Sequence, residues 1–148
     1  MKLTNDQAKN DNKFVKISME NATMRVDIES TRNDFANTNA PCDCPSCRNY
    51  YKAIRTKPNI LAFLDRFGID ADRPEELYSW GENADAKTIT YNAWYAVSGE
   101  FAGDKILKNI DGAEIELFSN TAYAEKTAPF FWLNIKDICL PWMLNEMM

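Results

Sequence analysis

The sequence predicts an α+β fold: an antiparallel sheet of about five strands, with two short helices inserted after the second strand region. Apolar residues alternate with polar ones from Phe14, again from Thr88, and again toward the C-terminus. Between Pro45 and Phe67 the same residue types recur with helical spacing instead, and Gly, Asn and Pro clusters separate the runs. A chain of 148 residues, 45% apolar and 26% charged, is long enough to bury one respectable core. A single domain over 14–148 is expected, preceded by a polar tail at 1–13.

The first strand region places Val15, Ile17 and Met19 on one face. After the break at Glu20-Asn21, Met24, Val26 and Ile28 share a face against Arg25, Asp27 and Glu29, so a hairpin or one bulged strand is expected. A polar loop, "STRNDFANTNAP", leads to the cysteines. Pro45 suits the first turn of a helix, where its missing N–H costs nothing, and "SCRNYYKAIRT" continues it. Lys57-Pro58 interrupts, and "NILAFLDRF" forms a second helix on Ile60, Phe63, Leu64 and Phe67, closed by Gly68. Asp72 and Glu75 have capping-box spacing, which predicts one further helical turn. "KTITYNAWYAVSG", "AEIELFS" and "PFFWLNIKDICL" complete the strands.

Composition excludes several chemistries. The chain has no histidine, so Ser-His-Asp and Cys-His machinery, His-ligated zinc and a near-neutral imidazole base are all ruled out. The five glycines assemble no phosphate-binding loop. A net charge of −5 argues against nucleic acid as a partner, because a backbone binder needs a basic stripe. The N-terminal stretch lacks a signal-peptide pattern and no run is apolar enough to span a bilayer, so a soluble cytoplasmic chain is expected, with no membrane contact and with reduced thiols.

Three of the four cysteines, Cys42, Cys44 and Cys47, fall within six positions. A metal reading follows from the C-x-C-x-x-C spacing, because the chain turns sharply where the helix starts and lets three sulfurs converge. The helix N-terminus also favours thiolates. Zinc (Zn²⁺) in a structural site wants a fourth ligand, for which Cys139, Asp43, Asp137 or water are the candidates. A redox reading rests on Cys44-Pro45-Ser46-Cys47, which resembles the thioredoxin and glutaredoxin motif, with Cys44 attacking and Cys47 resolving. Thr127-Ala128-Pro129 resembles the loop that faces that motif. In a third reading the thiols pack as small apolar groups.

Cys42-Asp43-Cys44 and Cys47-Arg48-Asn49-Tyr50, followed by Phe63, Leu64, Gly68-Ile69-Asp70, Glu76-Leu77-Tyr78, Gly81 and Leu140-Pro141-Trp142, resemble a family of small, functionally uncharacterised bacterial and phage proteins. The resemblance implies a shared fold and brings no activity. It also implies a phage or mobile-element setting, in which such a domain would serve as an inhibitor of a host protein.

Arg48 and Asn49 follow the cysteines closely enough to line the same corner, as anion or thiolate contacts. Trp94 and Trp132 lie on two strands and would offer a protein-docking or sugar-stacking face if exposed. The acidic residues Asp65, Asp70 and Glu76 read as a solvated face. Taken together, the expectation is a small non-enzymatic protein-binding module whose cysteine corner holds zinc, with a thiol-disulfide protein as the alternative.

Overall fold

The structure is a computed structural model; it describes residues 13–35, 41–119 and 129–146. Seven strands are present: β1 (Phe14–Met19), β2 (Ala22–Asp27), β3 (Glu76–Asn83), β4 (Thr88–Gly103), β5 (Ile106–Ile110), β6 (Ala113–Ser119) and β7 (Phe130–Pro141). They pair antiparallel in the order β1-β2-β4-β7-β6-β5, with β3 also on β4, and the sheet curls into a half-barrel. The two longest helices among the described residues, α1 (Pro45–Ala53) and α2 (Pro58–Asp65), lie between β2 and β3.

The α+β expectation therefore fits broadly, with three corrections. The described residues hold seven strands rather than about five, β3 and β5 being additional. Helical structure begins earlier than expected, directly after β2 over residues 28–35. Asp27 caps that turn by accepting from Ser30 N–H at 3.0 Å, and the Thr31 hydroxyl accepts from Ser98 N–H on β4 at 2.9 Å. Conversely, the turn expected at Asp72 is not a helix. Its carboxylate is engaged by Arg55 through two bonds of 2.9 and 3.0 Å, and the chain runs on into β3. The polar tail, apart from Lys13, and Thr127-Ala128 lie outside the described residues.

β4 is the spine. One edge pairs with β7 over Thr88–Ser98; the other pairs with β3 over Thr88–Trp94 and then with β2 over Gly99–Gly103. Ile89, Tyr91, Ala93, Tyr95 and Val97 point from it into the main core, where Tyr50, Ile54, Ile60, Leu64 and Phe67 of the helical segment meet them. The opposite face carries a smaller aromatic group of Ala96, Phe130 and Trp132, with Trp94 and Phe118 against it.

α1 ends at Ala53, short of the Thr56 expected, and α2 at Asp65, while the Gly68 stop lies where the sequence places it. Gly68 takes φ +77°, and the paired bonds Gly68 N–H to Asp65 and Ile69 N–H to Leu64 close α2 in a Schellman turn. Gly99 marks the point at which β4 changes partner. Its φ is +144°, and a Cβ there would stand 1.9 Å from the Arg25 carbonyl oxygen of β2. Substituting Gly99→Ala should therefore cost about 3 kcal/mol in equilibrium urea unfolding, since it combines backbone strain with a clash against main chain.

Candidate metal centre

α1 begins at the cysteines. Cys44 is extended (φ −69°, ψ 157°) and caps the helix, its Sγ accepting from Cys47 N–H at 3.4 Å, and Pro45 occupies the first turn. This local geometry gathers the sulfurs of Cys42, Cys44 and Cys47 within 4.8 Å of one another. Tetrahedral sulfurs on zinc sit about 3.8 Å apart for Zn–S bonds of about 2.3 Å, so small side-chain rotations suffice to close the trio on an ion. Cys42 and Cys44 are exposed, whereas Cys47 is buried.

The loop is held by hydrogen bonds to its own carbonyls. Tyr51 Oη donates to Cys42 at 3.1 Å, Arg48 Nε to Asp43 at 3.0 Å, Arg48 N–H to Cys44 at 2.9 Å, and Tyr91 Oη to Ser46 at 2.7 Å. Arg48 is itself gripped by both oxygens of Glu146. The Arg48 contact holds Glu146 below the usual carboxylate range, and the Glu146 contact raises Arg48. Tyr91 comes from β4, so the corner is anchored to the strand that is hydrogen-bonded along both edges.

The electrostatics of the three thiols differ. The Ser46 hydroxyl, 3.4 Å from Cys44 Sγ, is the largest influence on that thiol; together with the Cys47 N–H it brings the group down to about 7, against an opposing cost of burial. Burial pushes the Cys47 thiol up, and its sulfur neighbours add to the effect. Burial also raises Tyr91 to about 12, so its hydroxyl stays a donor at neutral pH.

Cys139 does not join the trio. A strictly alternating strand starting from Ile135 would have turned Cys139 toward the helices. Instead, Lys136 and Asp137 together oppose Asn92 alone, and Asp137 takes φ 51°. The bulge lets Ile135 and Ile138 both enter the core, and it sends Cys139, beside Thr90, to the opposite face. Asp43 points to solvent, its side chain 96% exposed. Among the described residues, no carboxylate or fourth cysteine has a ligand atom within 4.8 Å of all three sulfurs.

The other candidate binders are used by the fold. Asn49 is fully buried: its amide donates to Tyr91 Oη and the Pro141 carbonyl, and its oxygen accepts from Met143 N–H. Trp132 is buried and meets Trp94 edge-to-face at 5.9 Å, with Phe130 and Phe118 completing the group. The sequence reading did not foresee the parts played by Tyr51, Tyr91 and Glu146.

A cavity of about 420 Å³ opens beside Cys42 and Cys47, lined also by Tyr51, Asp72, Arg73 and Glu76. No described helix is long and apolar enough to cross a membrane. No family model matches the chain, and no curated protein or solved structure matches it significantly. The resemblance noted above thus stands on its motif residues alone.

Two outcomes are expected. In metal-free, reduced protein, alkylation of Cys44 by iodoacetamide should rise through a midpoint near pH 7, because the reactive thiolate dominates above that value and is lost below it. Peptide mapping across a pH series checks this, and Cys47 should lag at every point. Tyr91→Phe should cost about 1–2 kcal/mol of stability in urea, since it removes the bond to the Ser46 carbonyl and leaves one Asn49 donor bond unmet.

Proposed function

We propose that this protein binds a thiophilic metal ion, Zn²⁺ among the common divalent ions, through Cys42, Cys44 and Cys47. The ion would clamp the 41–44 loop onto the start of α1. The observation that carries the reading is the convergence of three sulfurs on a loop whose carbonyls are tied to Tyr51, Arg48 and Tyr91. Such outer hydrogen bonds fix ligand orientation and raise affinity. The lowered Cys44 thiol favours the same outcome, because the ligand must be a thiolate.

The protein-binding role rests on β3 more than on Trp94 and Trp132. β3 is paired with β4, and Tyr78 and Trp80, two residues apart and 54% and 43% exposed, present aromatic surface on it. A protein partner would meet that strand, with the metal corner holding the adjoining helix in place.

A second reading keeps the cysteines as a redox pair, with Cys44 as nucleophile and Cys47 as resolving thiol. It is supported by the Cys47 N–H bond to Cys44 Sγ and by the contrast between an exposed, lowered thiol and a buried, raised one. Its test is turnover of a small disulfide, which Cys44→Ser should abolish; a Cys44→Ser protein with full turnover would end this reading.

For the metal reading, native mass spectrometry of protein purified under reducing conditions should find one zinc per chain. Cys42→Ser, Cys44→Ser and Cys47→Ser should each weaken zinc at least about 100-fold, more than outer-shell changes do, while Cys139→Ser leaves it unchanged. Protein that takes up no zinc, or whose zinc depends on Cys139, would refute the assignment.

A further inference from the structure

Resting on the thiolate reading above, we propose that the trio takes trivalent arsenic as a three-sulfur complex in preference to zinc. Coordination number separates the two centres. Zinc in a closed site uses four ligands, and the described residues bring only three ligand atoms together. Of the nearby carboxylates, Asp72 is engaged by Arg55 at 2.9 and 3.0 Å, Glu76 accepts from the Tyr78 hydroxyl at 2.9 Å, and Asp43 faces Arg48 at 3.5 Å. Trivalent arsenic is pyramidal and needs three donors, the remaining position being its own lone pair. Thiolates are the donors that soft centres of this kind prefer.

Charge points the same way. Zinc on three thiolates leaves a net negative complex, in a chain that already carries −5 and beside a cavity lined by three carboxylates, Asp72, Glu75 and Glu76, against one cation, Arg73. Arsenous acid is neutral at pH 7 and so is its trithiolate product, so the acidic surroundings oppose neither entry nor binding. Three S–H bonds and three As–OH bonds break, three As–S bonds form, and each thiol proton leaves with a hydroxide as water. Arsenic stays at +3, so no oxidant or reductant is required.

Access follows from burial. The exposed Cys42 and Cys44 make the first two bonds, and the buried Cys47 completes the third from below. The cavity along Cys42 and Cys47 gives departing water a route out. Cys139, on the other face of the sheet, takes no part.

The test is titration of the reduced full-length chain with sodium arsenite, read by near-ultraviolet sulfur-to-arsenic absorbance, intact mass and residual thiol count. One arsenic per chain with loss of three titratable thiols is expected. One equivalent should release the zinc from zinc-loaded protein, and Cys42→Ser should weaken arsenite at least tenfold while Cys139→Ser leaves it unchanged. Cys42 is exposed, so that variant keeps its fold, which circular dichroism verifies. If zinc binds one per chain but arsenite fails to displace it, or consumes only two thiols and ignores Cys42→Ser, this proposal falls and the zinc reading stands. If neither binds, both fall.

Discussion

Strand β4 is hydrogen-bonded along both edges, and most of the molecule is arranged by that constraint. It is the one element shared by the β1-β2 hairpin, the β3 strand and the β7-β6-β5 meander. A strand in that position cannot give way to solvent, so its side chains are buried on the core face and mostly covered on the other. Its tyrosines then solve a packing problem with a polar handle. Tyr95 meets Tyr50 hydroxyl to hydroxyl at 2.5 Å and donates to the Ala71 carbonyl, and Tyr91 reaches the Ser46 carbonyl. Each buried hydroxyl finds a partner, which fixes how α1 and the segment after α2 lie on the sheet.

The cysteine corner inherits its order from this arrangement. Pro45 and the Cys44 cap are local features, but a helix start alone does not hold a loop of three thiols still. The loop is anchored because Tyr91 is fixed by the sheet and because Asn49, wholly buried, ties α1 to Pro141 and Met143 at the end of β7. Trp142 N–H donates to the Lys87 carbonyl and its indole to Glu146, which brings Glu146 to Arg48. The C-terminal segment therefore acts as a strap across the corner. Residues nearly a hundred positions apart in the chain determine where the sulfurs stand.

Some of this was legible in the chain and some was not, and the difference has physical causes. The β1-β2 hairpin, the two helices and the Gly68 stop follow from periodicity and caps, which are local. β3 escaped notice because "ELYSWGEN" has one side chain after another exposed and shows no apolar alternation; it is a strand because β4 offers it an edge. β5 is a short run whose alternation, Ile106 and Ile110 inward and Leu107 outward, is too brief to stand out from the loop around it. The inserted residue at Lys136-Asp137 carries no composition signal, yet it reversed the facing of Cys139.

By itself, the sequence determined the α+β class, the helix that starts at Pro45 and the gathering of Cys42, Cys44 and Cys47, because caps, proline and three-residue spacings act within one or two turns of chain. It also determined which chemistries are absent, since without a histidine no imidazole can serve. Only the tertiary structure decided that Cys139 stands apart, that Asn49, Arg48, Trp94 and Trp132 are taken up by the fold, and that Tyr51, Tyr91 and Glu146 support the thiol loop. Those outcomes depend on strand register and on contacts between distant segments, where one bulged residue changes which face a side chain occupies.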